Sequence, residues 1–286
     1  MANMRALRMR IKSLQSTQQV TKSMKMISAA KLRRSQNAYS RLKSFAEKSN
    51  EILRDVVNDT ASCEHLLLAQ REPQKSVCYV LVVGNRGLCG TYNQSVLRFL
   101  TDLVEQDPRE SFLVVCGRWG REAVEKTGIR IERWFDEIDD APDSASARSV
   151  SAYLKDLYVN GRADEIVLVY QQYGSVLSQN PAAKTLLPVK TEESGTSREY
   201  IFEPNRENVL ENLISLYIDN TVHAILLEAK TSEHAARMMA MTSASDNASE
   251  LIDALRLKLN HARQAAITTE IAEISGGAAV LEKEKD

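Results

Sequence analysis

From Met4, positions facing one way step by alternating threes and fours through Leu7, Ile11, Leu14, Gln18, Thr21, Lys25 and Ser28, with Val20, Met24 and Ile27 beside the later steps. That spacing predicts a helix presenting a coiled-coil seam with polar interruptions. A second seam runs through Met241, Ala244, Ala248, Leu251, Leu255, Leu259, Ala262 and Ala266. Its alanines let helices approach closely but bury little area, so at about 25 cal/mol per Å² the pairing is only moderately stable.

Between the seams the period changes. The apolar run Val77 to Val83 ends at Gly84 and predicts a strand buried on both faces. A helix from Asn93 to Glu105, a strand from Phe112 to Cys116, a helix after Gly117, a strand from Ile129 to Trp134, a helix from Ser146 to Val159 and a strand from Glu165 to Tyr170 follow. Such alternation predicts a parallel sheet with crossover helices. Ala183 to Phe202 reads as a further hairpin, with strands Thr185 to Val189 and Arg198 to Phe202 around a polar turn at Glu192 to Ser197.

Helix breakers partition the chain the same way. All 6 prolines and 9 of the 11 glycines fall between Pro73 and Pro204. The expected fold is therefore α/β: a long antiparallel coiled coil of the two terminal helices (1–60 and 205–286) plus a Rossmann-like α/β domain with a parallel sheet (75–203). A helix over 205 to 275 would be roughly 100 Å long. A compact chain of this size is on the order of 50 Å across, so the helix is expected to project. The first helix is too short to cover the second, which leaves Arg263 to Leu281 as a tip of mainly apolar or small residues that another protein is expected to enclose.

Charge sharpens the pairing. Residues 1–55 carry 13 Lys+Arg against 3 Asp+Glu, and residues 205–286 carry 8 against 13, so the arms are electrically complementary although the whole chain is only -1. A near-neutral total gives no reason to expect nucleic acid, and the basic helix has an acidic partner nearer than DNA. The basic, serine-rich start also fits an organelle transit peptide, against which stands a seam in phase for more than 30 residues. Cys63, Cys78, Cys89 and Cys116 form no C-x-x-C pair, and a reducing, cytoplasmic setting is expected. No apolar run reaches the 18 or so residues of a membrane span.

Chemistry is sparse. Gly84 to Gly90 (GNRGLCG) follows the first strand, where a phosphate loop would sit, but its G-x-x-G-x-x-G spacing matches neither a dinucleotide fingerprint nor a P-loop. A tight strand-to-helix turn is the simpler reading, with Arg86 placed to meet an acidic partner. His65, His223, His234 and His261 are scattered as surface or seam residues, with no zinc-ligand spacing. Cys89 lacks a nearby histidine base. No catalytic, cofactor or metal residues are assigned.

Three motifs carry a resemblance: RMRIKSLQSTQQVTKSMKMISAAKLRR (Arg8 to Arg34), NRGLCGTYN (Asn85 to Asn93), and the segment from Ala236 to Leu281 containing ARMMAMTSASDN and RQAAIT. Together they resemble the gamma subunit of F-type ATP synthases of bacterial type. The resemblance implies a non-catalytic central rotor shaft, coupling ion (proton) flow through Fo to ATP synthesis or hydrolysis. The implied partners are the alpha and beta subunits of an alpha3beta3 ring, the epsilon subunit and the c-subunit ring. It implies no cofactor, and a peripheral place on the cytoplasmic face of the cell membrane, touching the membrane only through Fo.

By motif, Met24, Lys25, Arg263, Gln264 and Thr268 would contact beta subunits. Arg86, Gly87, Leu88, Cys89, Tyr200 and Glu203 would lie on the foot near epsilon and the c ring, and Ile267, Ile271 and Ile274 would form a bearing tip. Asn85 and Lys25 stand where the family commonly has acids. The alternative, from the arms alone, is a free-standing coiled-coil scaffold; a third reading, from the glycine loop, is a Rossmann-type enzyme.

Overall fold

The computed structural model describes residues 2–58, 65–136, 138–190, 203 and 205–283. With no glycine or proline before Pro73, the first arm forms one helix, α1 (Ala2–Asn58). The last arm forms another, α5 (Arg206–Lys283). Contacts divide the chain into one unit of residues 1–26 and 240–286 and a second of residues 27–239.

The second unit holds a five-stranded sheet of β1 (Ser76–Val82), β2 (Glu110–Cys116), β3 (Arg130–Phe135), β4 (Glu165–Tyr173) and β5 (Gln179–Leu187). Their spatial order is β3-β2-β1-β4-β5. The first four strands are mutually parallel, joined through α2 (Tyr92–Gln106), α3 (Arg121–Glu125) and α4 (Ser144–Val159). The α4 entry is capped by Asp143, whose carboxylate accepts from the Ser146 amide at 2.8 Å.

The unbroken apolar run of β1 follows from two covered faces. Val77, Tyr79, Leu81 and Val83 pack with Val96 and Leu100 of α2 and Val124 of α3. Cys78, Val80 and Val82 pack with Val150, Leu154 and Leu157 of α4. That second core also takes in Leu53 and Val56 at the end of α1 and Leu210, Ile214, Ile218 and Val222 near the start of α5, so the two long helices run antiparallel.

The first strand of the expected hairpin is corrected. β5 begins at Gln179 and pairs antiparallel with β4, across a turn where the Gly174 amide bonds the Ser178 carbonyl at 3.2 Å. Gly174 and Pro181 are helix breakers in the sequence, but one sits in the turn and the other lies opposite Gln171 on the outermost of the described strands, where a proline is tolerated. Among the described residues the sheet is thus parallel except for one antiparallel strand, β5. Arg198 to Phe202 lies outside the described residues, as does Cys63.

At the amino ends of the strands, Arg109 binds Asp107 at 2.7 Å and Glu165 at 2.8 Å, and the Tyr79 hydroxyl donates to Asp107 at 2.9 Å. Arg109 chiefly holds the Asp107 carboxyl down, from an ordinary 3.8 to about 2. A depressed folded pKa contributes stability that is present above the unfolded value and lost as pH falls through the folded one. The thermal midpoint gap between wild type and Asp107→Asn, measured across pH, is accordingly expected to be constant above about pH 5 and to close between about pH 4 and pH 2.

Candidate functional site: seam, tip and glycine loop

In the unit of residues 1–26 and 240–286, the seam of α1 is the one its spacing predicts. Ile11 and Thr21 are buried, and Met4, Leu7, Leu14, Gln18 and Lys25 are partly covered. The polar interruption at Thr21 carries little cost, because its hydroxyl donates to the Gln18 carbonyl at 2.9 Å. Met24 is partly covered, while Val20 and Met26 are exposed.

The α5 seam needs one correction. Met241 and Ala248 are buried and Ala244, Leu255, Leu259, Ala262 and Ala266 partly covered, but Leu251 is 54% exposed while Ile252 beside it is 3% exposed. The inward face advances four residues from Ala248 rather than three, since a helix of 3.6 residues per turn drifts against a strict 3.5 repeat.

Beyond the seam, Arg263, Gln264 and Thr268 are exposed. Ile267, Ile271 and Ile274 are 48%, 62% and 67% exposed. Steps of four and three place these isoleucines on one stripe of the helix.

The second unit holds the glycine loop. Arg86, Gly87 and Leu88 are exposed, but Cys89 is turned inward and buried. Leu88 and Gly90 adopt left-handed φ values of 60° and 62°. The Gly84 amide donates to Asn93 Oδ1 at 2.8 Å, and Asn93 Nδ2 reaches the Cys89 sulfur at 3.3 Å. Burial pushes the Cys89 thiol above its ordinary value, and that of Cys116 up to about 12, the opposite of what a nucleophilic thiol needs. Glu203 is exposed, while Tyr200 lies outside the described residues.

The part that sequence reasoning missed lies on α5. From Ile225 to Ala235 every residue is buried, including Glu228, Lys230, Glu233 and His234. Glu233 takes Lys230 Nζ at 2.9 Å and Arg237 Nη2 at 2.6 Å, and Arg237 also donates to the carbonyls of Arg86 at 3.1 Å and Gly87 at 3.3 Å. Burial drives the Glu233 carboxyl upward, but the Lys230 and Arg237 charges outweigh it and hold it below its ordinary 4.5.

Nearby, the Tyr92 hydroxyl donates to the Ala229 carbonyl at 2.9 Å, and the Tyr173 amide to Glu228 Oε1 at 3.1 Å. Lys31 pairs with Asp140. His234 is a core residue, 1% exposed, and not the surface or seam residue its isolation in sequence suggested. In the sequence, Lys230, Glu233 and Arg237 look like an ordinary solvated charge face. The only hint of burial is the small residues Ala229, Ala235 and Ala236, which permit close packing.

Among the described residues no group of three His, Cys, Asp or Glu is placed to hold a metal, and no helix is long and apolar enough to cross a membrane. The arrangement offers contact surfaces and a buried ionic joint.

Comparison with known proteins covers the whole chain. A family model described as ATP synthase matches residues 3–281. The chain is 44% identical to the ATP synthase gamma chain of Desulforamulus reducens, covering 99% of this chain and 100% of that protein. It is 41% identical to the ATP synthase gamma chain of Pelotomaculum thermopropionicum, again over 99% and 100%. Among solved structures, a chain of the Euglena gracilis mitochondrial ATP synthase rotor matches at TM-score 0.68 and 19% identity, over 93% of this chain and 99% of that one. At that identity the likeness concerns the fold.

Proposed function

The chain belongs to the ATP synthase family, and from that membership we propose that it is the gamma chain, the central rotor shaft that couples rotation to ATP synthesis and hydrolysis. The observation that carries this reading is similarity to named gamma chains from end to end, both long helices included. A free-standing scaffold would not need relatives of the same length bearing that one name.

The finer assignments rest on residues. The stripe of Ile267, Ile271 and Ile274 turns inside an apolar sleeve of the alpha3beta3 ring, with Arg263, Gln264 and Thr268 on the surrounding loops. Met24 and Lys25 meet the moving lever of a beta subunit. Arg86, Gly87 and Leu88, with Tyr200 and Glu203, face the epsilon subunit and the c ring. Catalysis stays with the beta subunits, and the chain sits peripherally at the cytoplasmic face of the cell membrane through Fo. An asymmetric shaft favours a different beta conformation at each angle, so rotation shifts nucleotide affinity by differential contact.

Lys25 tests the lever contact. A lysine facing an acidic lever attracts where an acid repels, a difference of about 0 to 1 kcal/mol for an exposed pair. Lys25→Glu is expected to change ATP turnover in the reconstituted complex by up to about fivefold while leaving assembly intact; an unchanged rate removes the contact. The assignment as a whole is tested by tagging the chain and purifying from solubilised membranes. ATPase activity should follow it, at one copy per three alpha and three beta subunits, and a chain that elutes alone without ATPase returns the scaffold reading to first place.

A further inference from the structure

In open α/β sheets a ligand binds outside the carboxyl ends of the strands, where the strand order reverses. Here that point lies between β1, which leads through α2 to β2 on one side, and β4 on the other. Among the described residues it is α5 that lies across that point. Glu228 takes the amide of Tyr173 at the end of β4, and Glu233 lies against Gly84 just after β1. A Cβ on Gly84 would stand 2.9 Å from the Glu233 carboxyl carbon and 3.0 Å and 3.2 Å from its two oxygens. The glycine that would admit a phosphate in a dinucleotide fold admits this carboxylate.

We infer that Glu233 is an internal anionic ligand of the glycine loop, and that this seat is the key fixing the rotational angle of α5 on the sheet domain. Three features support it. The carboxylate is 1% exposed and carries two cations, so it is a built site and not a surface pair. One of those cations, Arg237, goes on to grip two loop carbonyls, which ties helix to loop. The helix is unbroken from Arg206 to Lys283, so torque applied near Ile271 reaches Glu233 through continuous backbone hydrogen bonding.

The mechanical half rests on the rotor reading, while the ligand half does not. If Glu233 is shortened, Lys230 and Arg237 still flank an emptied seat, and a small carboxylate can refill it. Formate is the probe, with chloride at equal ionic strength as control.

The isolated full chain carrying Glu233→Ala is expected to melt about 10 °C below wild type, as removal of one partner of a buried ion pair implies. Formate should recover at least half of that loss, and wild type should not respond. Where the variant does not fold unaided, refolding yield against formate reads the same quantity.

In the assembled complex, Glu233→Gln keeps the shape and removes the charge. ATP hydrolysis should continue while ions pumped per ATP fall several-fold. An effect of formate no greater than that of chloride, or an unchanged pumping ratio in the Gln variant, overturns the proposal. Because the formate arm is read on the isolated chain, it stands or falls apart from the rotor reading, which depends on ATPase following the wild-type chain.

Discussion

Ile271→Glu should cost the assembled enzyme at least about a hundredfold in assembly or ATP turnover while leaving the isolated chain folded. In the chain alone Ile271 is 62% exposed, so a charged residue there stays hydrated and moves stability by no more than about 0.5 kcal/mol. Within an apolar sleeve the same carboxylate loses its water without gaining a partner, at a cost of several kcal/mol. Each 1.4 kcal/mol is about a factor of ten. Ile267→Glu should behave alike from its 48% exposure. The check is paired: thermal melting of the free chain beside ATPase and yield of the complex. A free chain that unfolds would mark these isoleucines as ordinary core, and a complex at full activity would remove the bearing.

Gly117→Ala should be among the most destabilising single substitutions in the sheet domain. Gly117 has φ +120°, which L side chains rarely adopt, and an added Cβ would lie 2.2 Å from the Val83 carbonyl oxygen and 3.1 Å from that of Gly84. These are backbone atoms at the ends of β1, so no rotamer relieves the clash. The Val83 amide bonds Cys116 at 2.9 Å and the Gly117 amide bonds Phe135 at 3.0 Å, so relief means parting three strands. Loss of about 3 kcal/mol or more is expected, lowering the thermal midpoint by roughly 6 to 12 °C. Because the Trp119 amide also holds the Gly84 carbonyl at 2.9 Å, the damage should spread to the seat of Glu233. A midpoint unchanged within about 1 °C would contradict this geometry.

How far these features were legible in the sequence depends on which force placed each residue. The α1 seam from Met4 to Ser28 could be read residue by residue, since burial of one helix face leaves a direct period. Leu251 was misread because it and Ile252 are both apolar, and only the accumulated drift of the helix decides which turns inward. β1, β2 and β4 stood out through apolar runs covered on two faces. β5 did not, because an edge strand buried on part of one face carries Gln179, Asn180 and Pro181 without penalty. Glu233 and His234 were hidden for a different reason: their stretch of α5 is packed against the carboxyl end of the sheet and the glycine loop, and no local pattern encodes that. Gly84 read in the sequence as part of a tight strand-to-helix turn, and nothing there showed that Glu233 would approach it.

The most direct test of the rotor assignment is to watch this chain turn. With Cys63→Ala and Leu177→Cys, a probe can be attached at position 177, 79% exposed in the turn between β4 and β5, while Cys78, Cys89 and Cys116 remain buried. With the ring of the assembled complex fixed to a surface and ATP added, the probe should rotate in one direction, advancing in thirds of a turn. A probe that stays still while the same molecules hydrolyse ATP would contradict the assignment of this chain as the shaft.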